Sequence, residues 1–397
     1  LFRYGTTFVV GAGASAEFGM PVGADLAKMI RKSALLKNLN SEKPTFGDQT
    51  FYDTLKRLWP NAVDREKPIA AAEAIHHGVL TAVSIDAFID RFHDDEFIPL
   101  VGKMLIALEI SKAEAQSSLS KQYWTSLQAS SMFVDKNTYG RKLINPDDTW
   151  LGQFTRILFD GVRNPQQVGA GINIICFNYD RCIEYYLRTQ IAAAYRMSIS
   201  EAQDIVRKIN IIHPYGTLGE LPLMPNAYGD QILEFGAERD EYFKLEDIAK
   251  TIKTYTERQH QPDVIKRIHD AIAHSNVLTF LGFGFNNQNL DLLRVGNLDN
   301  VYSAIKHRPI YSTGKGIEKQ VESTIKRRIL QLLFPNEKSH EGIKHTVQIE
   351  YGQTCSELLY THNMNLSSFQ QAYFAVDEQM NATIPIRVRS RAESAED

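Results

Sequence analysis

Cysteine is scarce in this chain of 397 residues. Cys176, Cys182 and Cys355 are the only three, with no CxxC pair, so neither a disulfide framework nor a zinc ribbon is expected. A reducing cytoplasm is the natural home for such usage. No apolar run approaches the roughly 20 residues that cross a bilayer, so no membrane segment is expected. A formal net charge of −3 gives no global pull toward nucleic acid, and no direct nucleic-acid binding is predicted. Leu1-Phe2-Arg3-Tyr4-Gly5 has neither an initiator Met nor a signal-peptide pattern, and a trimmed natural N-terminus is expected. Strand signals are nearly missing between Phe51 and Gly161, and there is no internal repeat. The tail from Arg387 to Asp397 is charged and poor in apolar residues, as solvated termini are.

What is present fits an ordinary globular protein, 43% hydrophobic and 23% charged. The length exceeds the roughly 250–300 residues at which one core stops growing, so a large domain with an insertion, or two lobes, is expected. Short apolar runs at Thr6–Val10, Asn173–Phe177, Ile209–Ile212, Val277–Leu281, Arg308–Tyr311 and Thr346–Ile349 read as strands. Helical patterns separate them: Ala24–Ser33, Arg181–Met197, Ser200–Lys208, Glu241–Ala273 and Lys319–Leu333. The stretch 51–161 carries helical patterns such as Ile85-Phe88-Ile89-Phe92, with a polar loop from Tyr139 to Thr149. The predicted class is α/β: a Rossmann-like, mostly parallel sheet with helices on both faces and a large, mostly helical insertion. Residues 1–50 and 162–355 form the nucleotide-binding domain, 51–161 the insertion, and 356–397 a C-terminal extension.

Ligands of such sheets collect at the carboxyl ends of the strands, and the polar motifs stand there. Gly11-Ala12-Gly13-Ala14-Ser15 follows the first strand. Its glycines let the backbone approach a diphosphate, the next helix turn offers N–H groups, and Ser15 adds a hydroxyl. Ala16 replaces the third glycine of the dinucleotide fingerprint, and the pattern runs on to Gly19-Met20-Pro21. A tight structural turn is the plain alternative. Phe177-Asn178-Tyr179-Asp180 ends the second strand; an amide and a carboxylate there can hold a carboxamide and orient a water, or one of them can cap the next helix. His213-Pro214-Tyr215-Gly216 offers a titratable imidazole, although a lone histidine is more often structural. Gly282-Phe283-Gly284-Phe285-Asn286-Asn287 brings amides to a ribose or a base, or caps the helix at Leu290.

As an ordered set, GAGAS-x3-G-x-P, FNYD, HPYG and the GFG strand end resemble the catalytic core of the sirtuin family, over about Phe8 to Asp291. The resemblance implies that Gly11, Ala12, Gly13, Ser15, Gly19 and Pro21 grip NAD⁺. It implies that Asn178 and Asp180 hold the nicotinamide side, that His213 works at the ribose, and that Gly282, Gly284, Asn286 and Asn287 meet the adenosine half. The departures matter. No cysteine lies between His213 and Gly282, Val22-Gly23-Ala24 stands where a deacylating sirtuin has aspartate–phenylalanine–arginine, and Pro214-Tyr215 opens the histidine–glycine pair. These features are similar to the sirtuin-like NAD⁺ hydrolases of bacterial anti-phage systems. Ser84-Ile85-Asp86-x-Phe88 also resembles a motif of that group, which implies Asp86 in the cleft.

The chain's length, without a fused sensor or repeat region, resembles the sirtuin-like partner of a HerA-type ATPase. The resemblance implies a homo-oligomer that consumes NAD⁺ as substrate and binds no zinc. Two other readings stay open: a non-catalytic sensor of NAD⁺ or ADP-ribose, and an NAD-dependent protein deacylase. A dehydrogenase is disfavoured, because no acidic ribose ligand lies at the usual spacing of about 20 residues.

Overall fold

The computed structural model describes residues 1–37, 46–121, 144–223, 231–237, 244–259, 261–295, 308–334 and 346–368. The charged tail, most of the C-terminal extension, residues 139–143 of the expected polar loop and residues 241–243 of an expected helix lie outside them.

Six strands form one parallel sheet in the order β3-β2-β1-β4-β5-β6. They are β1 (Thr6–Val10), β2 (Ile172–Cys176), β3 (Asn210–Ile212), β4 (Val277–Leu281), β5 (Ile310–Gly314) and β6 (Val347–Tyr351). Every residue of β1 and β4 is buried. Successive side chains of a strand point to opposite faces, so both faces of the sheet are covered. That is why these strands read as unbroken apolar runs. The order reverses between β1 and β4, and that switch point is where open α/β sheets place their ligands.

Two strand ends differ from expectation. β5 runs to Gly314 instead of stopping at Tyr311, and β6 runs to Tyr351. Their last residues are polar and pair with each other, Thr313 beside Glu350 and Gly314 beside Tyr351. Hydrogen bonding between strands extends them past the apolar signal. The long helix expected from Glu241 is broken into pieces, among them Leu245–Ala249 and Pro262–Ala273, with Pro262 at the first position of the latter.

The first loop contains one turn of helix, α1 (Ala12–Ser15), and a 3₁₀ turn, and then enters α2 (Gly23–Ser33). Among the described residues of 51–161 there is no strand. The segment is built from α3 (Gln49–Leu58), α4 (Ala62–Gly78), α5 (Ile85–Arg91), α6 (Ile98–Gln116) and α7 (Trp150–Phe159). α6 is apolar nearly all round and buried along most of its length, as a helix in the middle of a layer must be. α7 closes the layer against the sheet: Phe154 packs on Phe8 with ring centroids 5.2 Å apart. The Trp150 indole donates to the Ala14 carbonyl at 3.1 Å. Each such buried aromatic contributes about 1.5–3 kcal/mol. α8 (Cys182–Tyr195) and α9 (Ile199–Lys208) connect β2 to β3, and α9 begins with a capping box of Ser198 and Glu201. No helix among the described residues is long and apolar enough to cross a membrane.

Candidate functional site

Register brings the motifs together. Val10 lies beside Cys176 on one side and Leu281 on the other, so the loops beginning at Gly11, Phe177 and Gly282 leave the sheet at one level. The first and third of these press backbone on backbone. Gly13 N–H donates to the Gly282 carbonyl at 3.0 Å. A Cβ on Gly13 would stand 2.9 Å from Gly282 Cα. One on Gly282, whose φ is +58°, would stand 2.1 Å from the Ala14 nitrogen. These glycines are therefore required by the contact between the loops. The place of a Cβ on Gly13 is taken by Gly282, while Gly11, Ala12 and Gly13 still border open space.

The loops enclose a cleft of about 580 Å³, within the roughly 300–1,000 Å³ of small-molecule sites. Gly11, Ala12, Gly13 and Pro21 line it from the first loop, Asn178 and Asp180 from the second, and Gly282, Gly284 and Asn286 from the third. Asp86 joins them from the helical layer. Its motif is a helix start: Ser84 accepts from Ala87 N–H at 3.1 Å and caps α5, while Ile85 and Phe88 are buried. This leaves Asp86 in the first turn facing the cleft. Burial pushes its carboxyl up to about 6, against the downward pull of a hydrogen bond from the Tyr179 hydroxyl.

Asn178 is tied to the first loop. Its Nδ2 donates to the Ser15 hydroxyl at 2.8 Å and to the Gly11 carbonyl at 3.2 Å. Ser15 is buried behind the lining and also bonds Asp180. Burial raises the Asp180 carboxyl above its ordinary value. Asp180, not Asn178, serves the start of α8, accepting from Cys182 N–H at 3.2 Å. One residue of FNYD thus serves the helix, and the other holds the cleft wall together.

The start of α2 borders the cleft. Pro21, Val22 and Gly23 line it, α2 has no side-chain cap, and a Cβ on Gly23 would touch nothing within 4 Å. Helix N–H groups with room in front of them attract anions.

Besides Ser15, three expected site residues lie off the lining. Gly19 has a φ of +90° and turns the chain out of the 3₁₀ turn Ala16–Phe18, outside the lining. Asn287 faces a neighbouring cavity of about 350 Å³ with Arg294 and Arg328, because Asn286 caps the helix Asn287–Leu293 and turns the next side chain away. His213 does not line the cleft. Its imidazole points behind it, with Nδ1 3.0 Å from the Asn178 carbonyl and Nε2 2.7 Å from Glu184 Oε1. The cleft-facing side chain of HPYG is Tyr215, whose hydroxyl donates to Asn289 Oδ1 at 2.9 Å.

Neither Tyr215 nor Lys315, the sole lysine or arginine on the cleft lining among the described residues, was marked by sequence reasoning. Tyr215 stood beside a histidine that drew the attention. Lys315 follows the unforeseen end of β5, where Thr313-Gly314-Lys315-Gly316 carries the same strand-then-glycine signal as the first loop. Among the described residues no cluster of three or more His, Cys, Asp or Glu is arranged to hold a metal.

No protein-family model matches this chain, and no curated protein matches it in sequence.

Proposed function

We propose that this chain is a sirtuin-like NAD⁺ hydrolase, which adds water to the nicotinamide–ribose bond and releases nicotinamide, ADP-ribose and a proton. One observation carries the reading: Asn178 is hydrogen-bonded into the Gly11–Ser15 loop from 167 residues away, on the wall of a cleft at the switch point of the sheet. The uncapped start of α2 and Lys315 suit a diphosphate. Asp86 and Asp180 suit the other end, where positive charge develops on the ribose as cationic nicotinamide departs. Nicotinamide leaves without protonation, so the protein has only to orient the bond, shelter the cation and hold a water. Asn178 uses its Nδ2 on the loop and turns Oδ1 to the water. Asp86, ionised above about 6, takes the proton that the water loses.

The order of the motifs supports the same family reading. In it the chain forms a homo-oligomer, pairs with a HerA-type ATPase in the cytoplasm, and depletes NAD⁺ during anti-phage defence. The test is chromatography of products after incubation with NAD⁺. Nicotinamide and ADP-ribose are expected from the wild type. Asn178→Ala is expected to lose at least about 10²-fold in turnover, a typical loss for one positioned polar group, while staying folded. Unchanged NAD⁺ in the presence of the partner ATPase overturns the reading. A second reading, a sensor that binds NAD⁺ or ADP-ribose without cleaving it, draws on the position of His213 outside the cleft; it predicts saturable binding with no product.

A further inference from the structure

His213 and Glu184 sit behind the cleft, on the wall of a second cavity of about 270 Å³. Its Nδ1 faces a main-chain carbonyl, which only accepts, and its Nε2 faces a carboxylate oxygen. A carbonyl fixes a proton on Nδ1, and the Glu184 carboxylate favours a second one on Nε2. Glu184 comes from the first turn of α8. Its Oε1 takes the Nε2 proton, and its Oε2 is buried with no hydrogen-bond partner among the described residues. The Cys176 thiol of β2 also faces the ring, and the Arg181 guanidinium before α8 acts on Glu184. The Arg258 guanidinium reaches the carbonyl of His213 itself at 3.5 Å. Burial pushes the imidazole toward the neutral form, and the Glu184 charge overrides it, holding its pKa well above 6.5. Glu184 is held low for the reciprocal reason, its own burial being outweighed by His213.

We propose that His213, braced by Glu184, is a positioning residue that fixes the main chain of Asn178 from behind the cleft, so that the Asn178 amide meets the substrate at the right place. The inference rests on the dinucleotide-cleaving reading above. A rigid link suits that role, since Asn178 Nδ2 is anchored on Gly11 and Ser15 in front, and its carbonyl is anchored on His213 behind. The two anchors hold Asn178 from the side chain and from the main chain at once. A misplacement of about 1 Å in such a group can cost about 10² in rate.

The test compares His213→Ala, His213→Asn and Glu184→Gln in NAD⁺ cleavage, below the unfolding temperature of each. The asparagine amide can supply the Nδ1-type donor to the Asn178 carbonyl and has no basic nitrogen. His213→Ala is expected to lower kcat at least tenfold with KM within threefold, because the cleft lining is intact. His213→Asn is expected to recover most of that loss. In Glu184→Gln the imidazole loses the charge that raises its pKa, yet a neutral ring with its proton on Nδ1 still holds the carbonyl. Its pH–rate profile is therefore expected to overlie that of the wild type. A proton-accepting histidine gives the opposite pattern: His213→Asn as inactive as His213→Ala, and an ascending limb that moves to lower pH in Glu184→Gln. That pattern overturns the proposal, as does an unchanged kcat in His213→Ala. One readout does not use turnover: the ¹⁵N shift of His213 Nδ1, assigned by its loss in His213→Asn, is expected to be that of a protonated nitrogen in both the wild type and Glu184→Gln. An Nδ1 without a proton overturns the proposal even if NAD⁺ is never cleaved. If NAD⁺ is untouched but Nδ1 is protonated, the enzyme reading alone has failed.

Discussion

Two ion pairs, one buried and one partly exposed, grip the same short stretch of chain, three residues apart, and they are built differently. Arg181 and Glu114 are 2% and 0% exposed, and their oxygens and nitrogens meet at 2.6 Å. Every remaining need is met: Glu114 also accepts from Arg181 N–H and Gly236 N–H, and Arg181 donates to the carbonyls of Leu233 and Glu234. His213 and Glu184 are 10% and 19% exposed, and one carboxylate oxygen has no partner among the described residues. The first pair locks the helical layer to the end of β2. The second pair reaches the backbone of a cleft residue and keeps unspent hydrogen-bonding capacity beside it. Here the pair with complete hydrogen bonding joins two layers of the fold, and the pair with an orphan oxygen holds the main chain of a cleft residue.

The sharpest way to break this comparison is Glu114→Ala. It leaves a guanidinium charged and unpaired in the interior, and a loss of about 3–5 kcal/mol of stability is expected, readable by urea denaturation. Glu184→Gln keeps the shape and a hydrogen bond, so a much smaller loss is expected in the same experiment. Equal losses would erase the distinction. Asp86 gives the next largest effect. Its folded pKa of about 6 lies above its ordinary value of 3.8, so the fold prefers the proton. The carboxylate's stability deficit is absent at low pH and grows as pH rises through about 6. Asp86→Asn is therefore expected to stabilise the protein above that pH, by about 1–2 kcal/mol once the solvent in the cleft is allowed for. The same substitution is expected to lower turnover and remove the acid limb of the wild-type pH profile, because the useful carboxylate is lost as pH falls through about 6. The smallest effect is expected at Lys315, which is exposed at the cleft edge. Lys315→Ala should raise KM for the dinucleotide about fivefold, roughly 1 kcal/mol. That difference should shrink at high salt, since an exposed charge is screened.

Local chemistry made much of the architecture legible. Strands buried on both faces have to be apolar throughout, so Phe8-Val9-Val10 and Leu278-Thr279-Phe280-Leu281 announced themselves, and the loops after them followed. The start of the helix at Ser84-Ile85 rests on local chemistry in the same way, a cap followed by a buried residue, whereas the place of Asp86 in the cleft was implied only by the resemblance. The direction of side chains just past a strand end was not legible. Past the last ladder hydrogen bond the alternation of the strand no longer dictates which way a residue points, and packing decides. That is how Tyr215 came to face the cleft and His213 the interior.

The sequence by itself determined the sheet, the helical layer and the positions of the polar motifs along the chain, because period, turn chemistry and apolar runs act over a few residues. Only the tertiary structure decided which of those polar side chains share a wall, that Gly13 and Gly282 spend their freedom on each other, and that Glu184, 29 residues from His213, holds the imidazole. Contacts across such distances depend on the register of neighbouring strands and on the direction each loop takes, and neither is encoded within any single motif.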